Sequence, residues 1–183
     1  QRLPVTAVTA ASRRHSPGHL ANRNLMELVD WCRYVIGSDP TSVVGVRHHG
    51  QDADDDYQMM SLDFSPAGQL GSGPLAQLSC GRYMPAAWHE AVSYRPPAAL
   101  QVCCDNGIAF VDLPATLIWF DAAGRHMESL ESERPVGEQL LMLFHRAVTS
   151  LVRKIGDLED TYQALGVLLA ARQSFQDSRR IFL

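Results

Sequence analysis

Residues 18 to 37 (GHLANRNLMELVDWCRYVIG) carry the side chains best suited to chemistry. Arg23, Glu27, Asp30 and Tyr34 follow one another at intervals of three or four residues, so a helix would align them on one side. The carboxylate of Glu27 can serve as a base if it is buried, and the forked guanidinium of Arg23 can bind an anion. The same spacing also suits an ordinary exposed ion pair, worth about 0.2–0.5 kcal/mol and without catalytic meaning.

The opposite side of this stretch predicts the helix that would position these groups. Apolar residues recur there at helical spacing, and Gly37 is a typical helix end. His19, near the start, could lie at the helix N-terminus beside a cleft or at an ordinary surface position. The apolar stripe consists of Leu25, Leu28, Val29, Cys32, Val35 and Ile36.

Residues 82 to 97 (RYMPAAWHEAVSYRPP) form the longest irregular segment between predicted strands. Trp88 and His89 are of the types that contact sugars or anions, as are Tyr83 and Arg95, and long loops on a rigid sheet often carry function. Alternatively, Tyr83 and Trp88 cover the sheet edge or pack on a partner subunit.

The remaining candidates for chemistry are weaker. His48 and His49 precede an acidic run at 51–56 (QDADDD), but the spacing fits neither a zinc site nor a twelve-residue calcium loop, so a solvated loop is expected. The four cysteines form no C-x-x-C pair, which fits a reduced, cytoplasmic setting. They have no recognisable histidine partner, so cysteine catalysis is not expected.

Short runs with strand character recur at regular intervals, separated by turn residues. The turns are SPAG at 65–68, DNG at 105–107 and DAAG at 121–124, and Asn-Gly is favoured where both central residues need positive φ. Close-spaced turns indicate a largely antiparallel sheet. The predicted strands are 4–12, 42–49, 57–64, 75–80, 99–104, 108–113 and 116–120, with a possible last one at 125–130.

Two amphipathic helices are predicted after residue 134, one reaching Gly156 and one marked by Tyr162, Leu165, Leu168, Leu169 and Phe175. The whole pattern predicts one α+β domain over residues 1–183, with an open sheet of about six strands and helices packed on one face. The strands carry more apolar side chains than one buried face would use, so the other face is available for oligomerisation.

Composition excludes several classes of protein. With 183 residues, 46% hydrophobic residues and a formal net charge of -4, the chain is an ordinary globular domain. It lacks the basic stripe of a nucleic-acid-binding surface and any apolar run of the ~20 residues needed to cross a membrane.

Three stretches, in this order, resemble the C-terminal domain of the glucose–fructose oxidoreductase, inositol dehydrogenase and rhizopine-catabolism family (Gfo/Idh/MocA). VDWCRYVIGSDPTSVVGV is similar to the family's "D-L-x-x-x-L-x-G-x-x-P-x-S-V" segment. SLDFSPAGQLGS resembles its "F-x-x-G" hairpin, and ALGVLLAARQSFQDSRRIFL resembles its closing helix and strand.

The resemblance implies an NAD- or NADP-dependent oxidoreductase acting on a sugar, cyclitol or related polyol. The family's N-terminal Rossmann domain has no counterpart in these residues, which lack a G-x-G-x-x-G motif, so the first residue, Gln1, would lie near a domain junction. This domain would then supply substrate-cleft residues and contacts in a homodimer or homotetramer, and alone would bind no dinucleotide.

The resemblance also assigns roles around the first helix, where the family usually has "D-x-G-x-H-x-x-D". Alignment on Asp30 puts Glu27 at the histidine position and Arg23 at the first aspartate position. Glu27 would be the base for the substrate hydroxyl, and Asn22 and Asn24 would orient a polar substrate. Because both expected catalytic residues are replaced, the alternative is a free-standing, non-catalytic module for dimerisation or small-molecule binding.

Overall fold

The structure is a computed structural model that describes residues 5–12, 18–48, 57–81, 100–112, 116–130, 136–149 and 156–183. The described residues form three helices and nine strands. The helices are α1 (Gly18–Ile36), α2 (Val136–Thr149) and α3 (Gly156–Asp177). The strands are β1 (Val5–Ser12), β2 (Ser42–His48), β3 (Tyr57–Asp63), β4 (Leu75–Gly81), β5 (Leu100–Cys104), β6 (Gly107–Asp112), β7 (Thr116–Asp121), β8 (Gly124–Ser129) and β9 (Ile181–Phe182).

All nine strands form one open sheet in the order β8-β7-β6-β5-β1-β4-β3-β2-β9. Every neighbouring pair is antiparallel except β1 and β4, which are parallel with Ala10 opposite Leu78. The α+β class and the largely antiparallel open sheet are therefore confirmed. The sheet is wider than the predicted six or so strands, because all eight predicted strand runs join it and the short β9 adds an edge beside β2.

Helix α1 packs on the centre of the sheet through the predicted apolar stripe. Leu25, Val29 and Cys32 are completely buried, and the helix lies against β1 and β4, where Leu78 is also completely buried. Burying one such aliphatic side chain stabilises the fold by about 1.5–3 kcal/mol. The helix ends as predicted: Gly37 has φ 80°, and its N–H donates to the carbonyl oxygen of Arg33 at 2.7 Å.

Helix α3 packs on β2 through small side chains rather than the large ones predicted. Of the predicted stripe only Leu168 is buried, whereas Tyr162 is 69% and Leu169 53% exposed. The reason is a close crossing: a Cβ on Gly45 would meet the carbonyl oxygen of Ala171 at 2.1 Å. The buried residues of α3 are Ala164, Val167, Leu168, Ala170, Ala171 and Ser174.

Helix α2 does not extend the described helix layer on the sheet, although its sequence predicted that it could. It makes no extensive contact with any described strand. Leu141 is 71% and Phe144 68% exposed, so the apolar stripe of α2 is uncovered by the described residues.

The side of the sheet opposite α1 and α3 is called the open face. Alternation along each strand puts Val46, Leu75, Phe120 and Met127 on this face, and their side chains are 41–66% exposed. Phe110 lies beside Phe120 with the ring centroids 6.2 Å apart in an edge-to-face arrangement. The prediction that helices cover one face and leave the other accessible is confirmed for α1 and α3.

A buried carboxylate organises the loop between β3 and β4. Asp63 accepts hydrogen bonds from the Ser65 N–H at 2.8 Å, from the Ser65 hydroxyl and from the Gly71 N–H at 3.0 Å. Arg180 lies 3.4 Å away and also donates to the Ser42 hydroxyl at 2.9 Å. Burial would raise the pKa of Asp63, but these hydrogen bonds and the Arg180 charge outweigh it and hold the pKa below its ordinary value.

The turn between β5 and β6 differs from its prediction. Asp105 and Asn106 form the turn, and neither Asn106 nor Gly107 has a positive φ. Gly107 is instead required by a close approach, since a Cβ there would meet the carbonyl oxygen of Phe120 at 2.4 Å.

Candidate functional site

The first half of the outward side of α1 carries one ion pair. Arg23 Nε lies 3.0 Å from Glu27 Oε1, and the two side chains are 72% and 62% exposed. They are neighbours because residues four apart meet on one helix face, while Leu25 and Val29 turn the opposite face into the core. An exposed pair of this kind is held weakly, so a ligand can compete for either partner.

The second half of this side forms a separate polar cluster around Arg33. The Arg33 side chain is only 10% exposed. Its guanidinium donates one hydrogen bond to the Asp160 carboxylate at 3.2 Å and another to the Asp160 backbone carbonyl oxygen at 3.0 Å. Asp30 lies 3.4 Å and Asp39 2.5 Å from the same guanidinium. The cluster joins the end of α1 to the first turns of α3 and borders a hollow of about 330 Å³.

The structure therefore divides the predicted site residues into two groups along α1. Arg23 and Glu27 form one group, and Asp30 belongs to the other through Arg33. Asn24 is half-buried on the same helix. Asn22 and His19 lie on the backbone of α1, but their side chains fall outside the described residues, as do Trp88 and His89 entirely.

Arg33 was not among the sequence-predicted residues, although a signal for it exists. It follows Asp30 by three residues, which is ion-pair spacing on a helix. Its principal partners, Asp39 and Asp160, lie beyond the helix and across the chain, so only the tertiary structure brings them together.

The polar groups in the N-terminal half of α1 are suited to binding an anion and accepting a proton. The first turn of α1 contains no acidic residue, so the positive end of its helix dipole and Arg23 both favour anions. Glu27 adds a carboxylate that can accept a proton or a hydrogen bond from a hydroxyl group. The N-terminal half of α1 can therefore hold an anionic group and accept a hydrogen bond from a hydroxyl group.

Other kinds of site are not formed by the part of the chain that the structure describes. It contains no group of three or more His, Cys, Asp and Glu residues arranged to hold a metal ion. Burial raises the pKa of Cys32 to about 12, so its thiolate is negligible near neutral pH. None of the described helices is both long and apolar enough to span a membrane.

Comparison with known proteins gives a shared fold but no family match. No family model matches the sequence, and no curated protein matches it. Solved structures superpose on nearly all of the chain at low sequence identity. UDP-N-acetylglucosamine 3-dehydrogenase GnnA from Acidithiobacillus ferrooxidans covers 95% of it with a TM-score of 0.68 and 17% identity.

Two further structures give the same result. An oxidoreductase from Agrobacterium radiobacter, solved in complex with NAD+, L-tartaric acid and magnesium, covers 97% of the chain with a TM-score of 0.69 and 11% identity. The proposed oxidoreductase yvaA from Bacillus subtilis covers 100% with a TM-score of 0.70 and 14% identity. This chain spans 54% of GnnA, 56% of the Agrobacterium protein and 59% of yvaA.

Proposed function

We propose that this chain is the substrate-binding and subunit-contact domain of an NAD- or NADP-dependent oxidoreductase of the Gfo/Idh/MocA type. The observation that carries the proposal is the fold, which solved oxidoreductases share over at least 95% of the chain. The three sequence stretches that resemble the family lie in the matching order and support the same family. Free cysteines at 32, 80, 103 and 104 fit a cytoplasmic location.

The cofactor belongs to a part of the enzyme outside these residues. A dinucleotide-binding Rossmann domain would pair with this domain, since the similar structures extend well beyond the matched half and one was solved with NAD+. When bound, the dinucleotide supplies the hydride acceptor. The residues of this chain bind the substrate, orient it and move its hydroxyl proton.

The proposed substrate is a sugar, cyclitol or related polyol, bound at the N-terminal half of α1. Arg23 holds an oxygen or an acidic group of the substrate through its forked donors. Glu27 takes the proton of the reacting hydroxyl while a hydride leaves the same carbon for the bound dinucleotide, so that a carbonyl forms. Further contacts to the substrate come from His19, Asn22, Asn24, Asp30, Trp88 and His89.

Replacing Glu27 with glutamine in the full-length enzyme tests this assignment. Removing a general base is expected to lower kcat about 10²–10⁴-fold while the KM for the polyol changes little. Glu159→Gln is the matched control, because Glu159 is an exposed helical carboxylate bonded to Gln163 at 2.8 Å. Unchanged turnover of the Glu27 variant would remove Glu27 from the mechanism.

A second candidate function is a free-standing module that binds a small molecule or dimerises without catalysis. It is favoured by Arg23 and Glu27 standing where the family usually has aspartate and histidine. The mass of the natural polypeptide distinguishes the two, since only the enzyme requires a dinucleotide domain. Calorimetric titration of the 183-residue chain with NADP adds a check. Micromolar binding would contradict the proposal that the dinucleotide binds to a separate domain.

A further inference from the structure

A cavity of about 390 Å³ lies between the β2–β3 hairpin and the second half of α3. None of its described lining residues belongs to α1, so it is distinct from the proposed substrate site. It is within the size range of small-molecule sites. Its described lining residues are Gly45, Val46, Arg47, Gln58, Met59, Met60, Leu168, Ala171, Arg172, Phe175 and Gln176.

The inner wall of the cavity is formed by core residues. Met60 and Leu168 are each 3% exposed and belong to the core. Gly45 presents only backbone, and its N–H donates to the Ser174 hydroxyl at 3.0 Å, which locks α3 against β2. A ligand would therefore meet a wall that packing within the fold already holds in place.

The polar lining of the cavity is cationic. Arg47 on β2 and Arg172 on α3 face it from two different elements, and Gln58 and Gln176 add carboxamide groups. The described lining residues include no carboxylate. Arg47 already has an interaction within the chain, whereas Arg172 is exposed at the rim, where its forked donors can close on an anion.

We propose that this cavity binds a small organic acid, with its carboxylate on Arg172 and its apolar body against Met60, Leu168 and Phe175. The site is independent of the proposed oxidoreductase activity, because none of these residues lies on α1. Both parts of the ligand are needed: an inorganic anion leaves the apolar wall unused, and a neutral chain leaves the guanidinium groups unused.

Titration of the ¹⁵N-labelled chain with hexanoate, followed by amide NMR, tests the proposal. The Gly45, Ala171 and Arg172 amide signals are expected to shift and saturate with a Kd on the order of 1 mM or tighter. 1-Hexanol and inorganic phosphate are expected to shift them much less. Equal binding of hexanol, shifts with phosphate alone, or no saturable shifts with hexanoate would each overturn the proposal.

Arg172→Gln is expected to weaken hexanoate binding about tenfold or more, because a charge-assisted hydrogen bond is lost. Arg179→Gln is the matched control, since Arg179 is exposed, pairs with Asp177 at 3.1 Å and does not line the cavity. An Arg172 variant that folds and binds hexanoate as tightly as the parent chain would contradict the assignment.

Discussion

Arg23 and Arg33 lie on the same helix but serve different purposes. The Arg23 pair with Glu27 is exposed and short-range, so it contributes little to stability and leaves both groups accessible. Arg33 is nearly buried and bonds residues on two helices, so its guanidinium is engaged in linking the end of α1 to α3. The accessible pair is therefore the better candidate for binding and chemistry.

Asp63 is a single residue that makes the folding stability of the chain sensitive to acid. Its pKa in the folded chain lies below the ordinary aspartate value. The ionised carboxylate therefore favours the folded state above the unfolded-state pKa, and this stability is lost as pH falls toward the folded-state pKa. The decline in stability should begin near the ordinary aspartate pKa and continue into stronger acid.

Asp63→Asn is expected to lower the free energy of unfolding at pH 7 by about 1–3 kcal/mol, because donors at Ser65 and Gly71 lose an ionised acceptor. It should also flatten the decline in stability at acid pH. Urea unfolding at several pH values measures both effects. Asp112→Asn, at an exposed position on β6, serves as the control, and an equal flattening in that variant would contradict the role of Asp63.

At the scale of elements, the crossing of α3 over β2 depends on the absence of a side chain at Gly45. Ala171 contributes its backbone and Ser174 its hydroxyl to this contact. Because the strand and the helix touch directly at this point, Tyr162 and Leu169 face away from the sheet rather than lying between the helix and β2. This explains why the hydrophobic pattern predicted the helix correctly but not its buried side.

Gly45→Ala is expected to destabilise the chain by about 1–3 kcal/mol or more, since the added methyl would overlap the Ala171 carbonyl oxygen. Gly166→Ala, on α3, is expected to stabilise the chain by about 0.5–1 kcal/mol, because nothing lies within 4 Å of the added Cβ and alanine favours helix. Urea unfolding of the two variants measures both. Equal effects of the same sign would contradict the close crossing.

At the scale of the whole molecule, apolar groups on the open face define the proposed subunit contact. Phe120 is 41% and Met127 66% exposed on adjacent strands. Apolar side chains on an accessible sheet are typical of protein interfaces. We expect the protein to form a dimer or tetramer through this face.

The double variant Phe120→Glu and Met127→Glu is expected to convert the oligomer to a monomer, as measured by light scattering after gel filtration. Buried like charges at a twofold contact would repel each other. Tyr162→Glu, at a 69% exposed position on α3, should leave the mass unchanged. An unaltered oligomer would move the contact to another surface, and a monomeric parent chain would contradict the assembly.

The sequence by itself determined the local structure of this protein. The period of apolar residues predicted α1 with its buried stripe, and the strand runs and turns predicted an α+β fold with an open sheet. These features depend on residues that are close together in the sequence, so the sequence alone is enough to predict them. The spacing of Arg23 and Glu27 likewise predicted that they would meet.

Only the tertiary structure decided which surfaces touch. It put β1 beside β4, placed the small side of α3 against Gly45, left the stripe of α2 uncovered by the described residues and joined Arg33 to Asp160. Each of these contacts connects residues far apart in the chain. Their energies depend on distances of a few ångströms that hydrophobic periodicity does not specify.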